Sequence, residues 1–156
     1  RDWMGDDMPP DELNHTERAD EHFGFPFCHA GLYPDPEFGK PGACRGYQPP
    51  IQRLGAHVAP LGLTFYTGSM FPEKYRGQLL IAEHGSWNRA SKVGYRVSLV
   101  TLDNGRATDY RALVSGWLEG KNRMHGRPAD VHQLADGSLL ISDDSAGRLY
   151  RLSYAD

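Results

Sequence analysis

The residues best suited to chemistry fall in one short run, His84-Gly85-Ser86-Trp87-Asn88-Arg89. An indole offers a flat face to a planar ligand, and a guanidinium forks onto a carboxylate. The plainer alternatives are that His84 bonds a loop carbonyl and that Trp87 anchors the loop to its own sheet. A second chemical ending is Asp143-Asp144, two carboxylates that either bind a cation or cap a turn. Asp6, Asp7, Asp11 and Glu12 cluster near the start without the spacing of an EF-hand loop. Metal ligation through Asp11 or Glu12 is one reading, and a solvated acidic loop is the other. Cys28 and Cys44, 16 residues apart, match no zinc spacing, and Cys28-His29 lacks the earlier cysteine of a haem-attachment motif. A single disulfide across a Pro/Gly-rich loop is their simplest use, contributing on the order of 3 kcal/mol. It implies an oxidising compartment, periplasmic or extracellular; two buried thiols are the alternative. His15, His22, His29, His125 and His132 share no metal-ligand spacing.

The elements that position these groups change character along the chain. Residues 1–57 are loop-rich, punctuated by Pro9-Pro10, Pro26, Pro34, Pro36, Pro41 and Pro49-Pro50. Their aromatics (Phe23, Phe25, Phe27, Tyr33, Phe38) argue for order, because disordered segments are poor in such residues. Residues 58–156 read as repeated short strands, over 61–66, 78–83, 95–102 and 107–113, with a hairpin turn at Asp103-Asn104-Gly105. Four antiparallel strands in this length make one propeller blade. Gly77-Gln-Leu-Leu-Ile-Ala-Glu-His84 then recurs 60 residues later as Gly137-Ser-Leu-Leu-Ile-Ser-Asp-Asp144. Gly94-Tyr95-Arg96-Val97 matches Gly147-Arg148-Leu149-Tyr150 at an offset of 53, which predicts seven extra residues in the first copy. The extra length falls in the run containing Trp87, and insertions on one face of a repeat array often form its binding surface.

Composition supports this reading and excludes others. Glycine (18) and proline (11) make up about a fifth of the chain, well above the roughly 12% usual for the pair. This suits many strands joined by turns. The 17 basic residues are scattered and the net charge is −3, so nucleic acid is not an expected partner. No run approaches the ~18 apolar residues of a membrane helix. The fold class expected is all-β: about three blades of a propeller behind a loop-rich segment. Propellers close at about four to eight blades, so the chain is expected to be a piece of a longer one.

Taken together, the motifs resemble the glucose/sorbosone dehydrogenase family of six-bladed propellers, closest to its sorbosone and pyranose-dehydrogenase branch. The similar stretches are RDWMGDDMPPDELN (1–14), HFGFPFCHAG (22–31), GAHVAPLGLTFYTGSMFP (55–72), LLIAEHGSWNR (79–89), GYRV (94–97) and GRPADV with DGSLLISDD (126–144). HGSWNR and DDMPPDELN are the specific ones; DGSLLISDD is common to many propellers. The resemblance implies a bacterial periplasmic or secreted quinoprotein. It would oxidise a sugar or sugar-derived aldehyde with pyrroloquinoline quinone and Ca²⁺, passing electrons to an external acceptor such as a cytochrome c. It places no catalytic residue in this chain, because the family's histidine base and its partner arginine belong to the N-terminal half of the propeller. That half becomes a required partner, and the chain alone is expected to be inactive.

What remains for this chain is a cofactor wall. The resemblance puts His57, His84, Trp87, Arg89, Arg127 and Asp130 beside the quinone. Ala129 stands where the glucose dehydrogenase branch has a second arginine, so the clamp on the cofactor's carboxylates is reduced. Arg127 is expected at an exposed rim, where its removal costs little stability. A calcium-dependent propeller lactonase and a non-catalytic binding propeller are the competing functions. The first would use an Asp/Glu/Asn cluster at a central channel, and HGSWNR is not expected there.

Overall fold

A computed structural model describes residues 3–155. Arg1 and Asp2, which open the first similar stretch, and Asp156 lie outside the described residues. The fold is all-β, a propeller fragment whose ring is not closed. The only helical element among the described residues is a single 3-10 turn, Glu73–Tyr75, and none of their helices is long and apolar enough to cross a membrane.

The first blade is a four-stranded antiparallel sheet in the order β5 (Pro60–Phe65), β6 (Leu79–Glu83), β7 (Arg96–Asp103), β8 (Arg106–Val114). Its strands begin and end within one residue of the sequence reading. The Asp103–Arg106 pair closes the β7–β8 hairpin through Asn104 (φ 48°) and Gly105 (φ 78°). Positive φ at both central residues matches the right-handed twist of the strands and favours Asn-Gly. β6 opens with an unbroken apolar run, Leu79–Ala82, rather than an alternating one, and all five of its residues are buried, as expected where both sheet faces are covered.

The second blade has three strands: β11 (Pro128–Gln133), β12 (Leu139–Asp143) and β13 (Arg148–Leu152). Its register corrects the repeat offset. Glu83 pairs with Arg96 and Asp143 with Arg148, while Leu79 pairs with Val100 and Leu139 with Leu152. The third strands are therefore offset by 52 residues, and the insertion is eight residues long. The glycines shared by the two repeats are not equivalent: Gly94 precedes its strand by one more residue than Gly147 does.

The two blades enclose one core of Tyr66, Leu80, Tyr95, Val97, Leu99, Trp117, Val131, Leu139 and Ile141. The opposite face of the first blade packs Leu79, Ile81 and Val100 against Leu13, Leu54 and Val58. Leu13 and Leu54 come from a ribbon that the sequence reading left as loop, β1 (Pro10–Leu13) paired with β4 (Gln52–Ala56). Between them β2 (Cys28–His29) pairs with β3 (Tyr33–Pro34), and Cys28 is disulfide-bonded to Cys44. A last small hairpin, β9 (Leu118–Glu119) with β10 (Arg123–Met124), precedes the second blade.

Candidate functional site at the seam between two blades

The ends of β6 and β12 and the starts of β7, β11 and β13 share one rim, because each of these strands pairs antiparallel with its neighbour. The insertion rises there. It is fastened at its base by His84 N–H to the Ala59 carbonyl (2.9 Å), Gly85 N–H to Val58 (2.8 Å) and Ser86 N–H to Val93 (2.9 Å). Tyr95 fills the space beneath: it is 1% exposed, and its hydroxyl donates to the Ser86 carbonyl. Gly85 sits at φ 94°, and a Cβ there would overlap the Tyr95 ring. Glycine is needed on both counts.

Arg127 is laid over the other side of Tyr95, its guanidinium carbon 5.4 Å from the ring centroid. Its Nε donates to the His84 carbonyl (2.9 Å) and one Nη to the Gly85 carbonyl. The side chain is half-buried and joins the second blade to the insertion of the first. The sequence places this arginine at an exposed rim with little part in stability; it is instead half-buried and holds two carbonyls of the other blade. His84 Nε2–H donates to Asp144 Oδ1 (2.8 Å), and that bond holds the Asp144 carboxyl below the usual carboxylate range. His84 and Asp144 occupy the same position in the two repeats, each the first residue after its second strand, so repeat-equivalent residues meet across the seam.

The other residues singled out in the sequence lie elsewhere. Arg89 donates to the carbonyls of Asp6, Ala56 and Ser91 (2.7 Å for Ser91) and to the Asp7 carboxylate (2.7 Å). His57, at φ 63°, bonds the Gly5 carbonyl through Nε2 (2.7 Å). Arg89 and His57 thus dock the N-terminal segment. Asp130 accepts from the N–H of Val131 (2.8 Å) and packs over Gly62, where a Cβ would overlap it. Trp87 is 61% exposed. Asp11 accepts from the Ala59 N–H (2.9 Å), and Glu12 accepts from the Ala30 N–H (2.6 Å) and Asn14 (3.1 Å). Among the described residues no group of three or more His, Cys, Asp or Glu is arranged to hold a metal ion.

Of the two acids that end the second strands, Glu83 escaped the sequence reading, and Asp143 takes the turn-capping alternative given for it there. Glu83 is fully buried, bonded to Arg96 Nε (2.7 Å) and to the Tyr110 hydroxyl. Burial first, and Glu83 second, push Tyr110 up to about 12. Asp143, its repeat counterpart, is 2% exposed and accepts from the N–H groups of Arg127 (2.9 Å) and Ala146 (2.8 Å) and from the Tyr150 hydroxyl (3.2 Å). An acidic residue at the same place in both repeats was the available signal.

Comparison with known proteins places the chain. A family model described as TrAA12-like matches residues 37–155. The chain belongs to the TrAA12-like family. A protein of Borreliella burgdorferi described as uncharacterized is 41% identical over 157 residues, which is 99% of this chain and 41% of that protein. The chain thus spans less than half the length of the curated relative it matches. Among solved structures, the calcium structure of the Trichoderma reesei family AA12 enzyme matches with a TM-score of 0.74 and 21% identity, over 95% of this chain and 44% of that one. The holo pyranose dehydrogenase PQQ domain from Coprinopsis cinerea matches with a TM-score of 0.58 and 26% identity, over 75% and 32%. The soluble aldose sugar dehydrogenase of Escherichia coli matches with a TM-score of 0.59 and 18% identity, over 97% and 39%.

Proposed function

We propose that this chain forms part of the cofactor wall of a quinone-dependent sugar oxidoreductase of the glucose or sorbosone type. The observation that carries the reading is the seam: an exposed indole on an eight-residue insertion, two residues beyond a carbonyl held by Arg127. Family membership supports it, since a neighbour with this fold is described as the PQQ domain of a pyranose dehydrogenase.

The residues fit a flat, anionic quinone unevenly. Trp87 is the exposed aromatic of the insertion, and Arg127, with Nε and one Nη committed to carbonyls, keeps its other Nη for a carboxylate at the rim. His84 is oriented by Asp144 and partly exposed. Arg89 and His57 are taken up by the N-terminal segment, and Asp130 is acidic and packed on Gly62. The wall we propose is therefore Trp87, Arg127 and His84, with Arg89 and His57 holding the floor beneath them. No calcium ligand is assigned among the described residues. Pyrroloquinoline quinone, when bound, supplies the two-electron acceptor for hydride from a sugar carbon. This chain's part is to stack, to neutralise a carboxylate and to keep the seam rigid. The proton-accepting base, an external electron acceptor such as a cytochrome c, and the remaining blades are proposed to come from outside this chain. The disulfide and the enzyme relatives support a periplasmic or extracellular setting.

The test is reconstitution of the complete gene product with quinone and Ca²⁺, read by quinone absorbance and by dye reduction with aldoses. Trp87→Ala should weaken quinone binding by about tenfold, the upper worth of one aromatic stacking contact. Wild-type protein that takes up no quinone would overturn the reading.

A further inference from the structure

The disulfide-braced segment carries a second concave surface, separate from the seam. Phe27, Phe38, Lys40, Ala43 and Tyr47 line a cleft of about 260 Å³. Phe27 is 40% and Phe38 52% exposed, although a segment this short gains most by hiding its rings. The Phe27 and Tyr47 rings are parallel to within 11°, with centroids 6.4 Å apart.

The surface is preorganised. Asp35 N–H donates to the Phe27 carbonyl (3.0 Å), and the Asp35 carboxylate accepts from the Phe38 N–H (2.8 Å) and from the buried His29 (2.8 Å). The Phe27 N–H is held by Gly24 (2.8 Å), and the Gln48 N–H beside Tyr47 is held by His22 (2.9 Å). The His22 ring stands 4.6 Å from the Tyr47 ring, and the Cys28–Cys44 bond closes the loop between them. The three aromatic walls of the cleft are therefore tied to a hydrogen-bonded, disulfide-closed backbone.

We propose that this cleft binds a neutral pyranose ring. An aromatic face is electronegative and accepts electropositive C–H groups, and a pyranose presents C–H groups on its flat faces with hydroxyls around its edge. Lys40, exposed and lining the cleft, supplies a hydrogen-bond donor for such a hydroxyl. The size argues for one ring rather than a protein: pockets for drug-sized ligands run from about 300 to 1,000 Å³, whereas a stable protein interface needs about 800 Å² per partner. The preference for a sugar over another ring-shaped ligand rests on the sugar-oxidising function proposed above; the existence of the cleft does not.

The experiment is saturation-transfer NMR on the complete protein with cellotetraose and methyl-β-glucoside as probes and adenosine as the competing ring. Transfer to pyranose C–H protons is expected at millimolar probe. Phe38→Leu, which keeps apolar bulk but removes the ring, should weaken it about five- to tenfold with an unchanged melting temperature. Lys40→Ala, at an exposed position, should weaken it about two- to fivefold, the worth of one modest hydrogen bond. Absence of transfer, transfer insensitive to Phe38→Leu, or preferential binding of adenosine would each overturn the proposal. Dye reduction measured on the same samples separates the two ideas. Oxidation without cleft binding sinks only this site, and cleft binding without quinone uptake sinks only the proposed function.

Discussion

The two blades are copies of one sequence pattern that solve the same problem differently. Each ends its second strand with a buried acid, Glu83 in one and Asp143 in the other. In the first blade the acid meets a guanidinium and a phenol, Arg96 and Tyr110, and the chain then makes its long excursion through Trp87. In the second, the shorter Asp143 receives two backbone N–H groups and the Tyr150 hydroxyl, and the chain returns at once. One methylene decides the contrast: the longer acid spans to side chains across the sheet, whereas the shorter one caps its own turn. A blade that anchors its carboxylate with charge is free to carry an insertion, because its rim does not depend on the turn for satisfaction.

The comparison can be broken most severely at Glu83. Glu83→Gln leaves Arg96 without its counter-charge, and removing one partner of a buried pair costs about 3 to 5 kcal/mol. The lower end is expected, since Arg96 is 30% exposed. Urea unfolding would measure it, and a loss no larger than that of Asp143→Asn would erase the distinction. Asp143→Asn keeps an oxygen for its N–H donors, so about 1 to 2 kcal/mol is expected, the worth of weakened neutral hydrogen bonds.

Arg127→Ala tests the bracket that joins the blades. Loss of two hydrogen bonds to carbonyls and of the contact over Tyr95 should cost about 1 to 2 kcal/mol, seen as a lowered melting temperature even without cofactor. An unchanged melting temperature would return Arg127 to the exposed rim position expected from sequence.

Titration sharpens the contrast further. Tyr110 has its folded value raised to about 12, above the ~10 of an unfolded tyrosine. Its contribution is present in full below about pH 10 and is lost as pH rises through about 12. Burial also raises Tyr95, so alkaline difference spectra should show a late-ionising fraction that shrinks by one tyrosine in Tyr110→Phe. The smallest effect is expected at the seam. Asp144 is held low by His84, so its contribution stands above the ordinary carboxylate value of about 3.9 and fades as pH falls below it. Asp144→Asn should flatten that acid limb slightly in melting curves taken between pH 3 and 5.

The strands of the first blade were legible because their determinants are local. The apolar residues of β7, the continuous Leu79–Ala82 run of β6 and the Asn104-Gly105 turn all lie within a few residues of what they specify. The β1–β4 ribbon was not legible, because it pairs Leu13 with Gln52 across an irregular, proline-rich segment and neither strand alternates on its own. The repeat pointed to the loop that carries Trp87, yet it miscounted the insertion by one residue. Equivalent glycines are not equivalent positions when one precedes a longer excursion.

By itself, the sequence determined the all-β class, the repeat, the place of the insertion and the pairing of its two cysteines as the simplest option. All of these follow from composition, period and spacing along one dimension. The tertiary structure alone decided which charges are spent and which are left over. Arg89 and Arg127 are equally basic in the sequence, but one is consumed by Asp6, Asp7 and Ala56 and the other by His84 and Gly85. The carbonyls that claim them come from residues up to 83 positions away. A hydrogen bond depends on where a partner stands in space, and only the packed sheets bring those partners within reach.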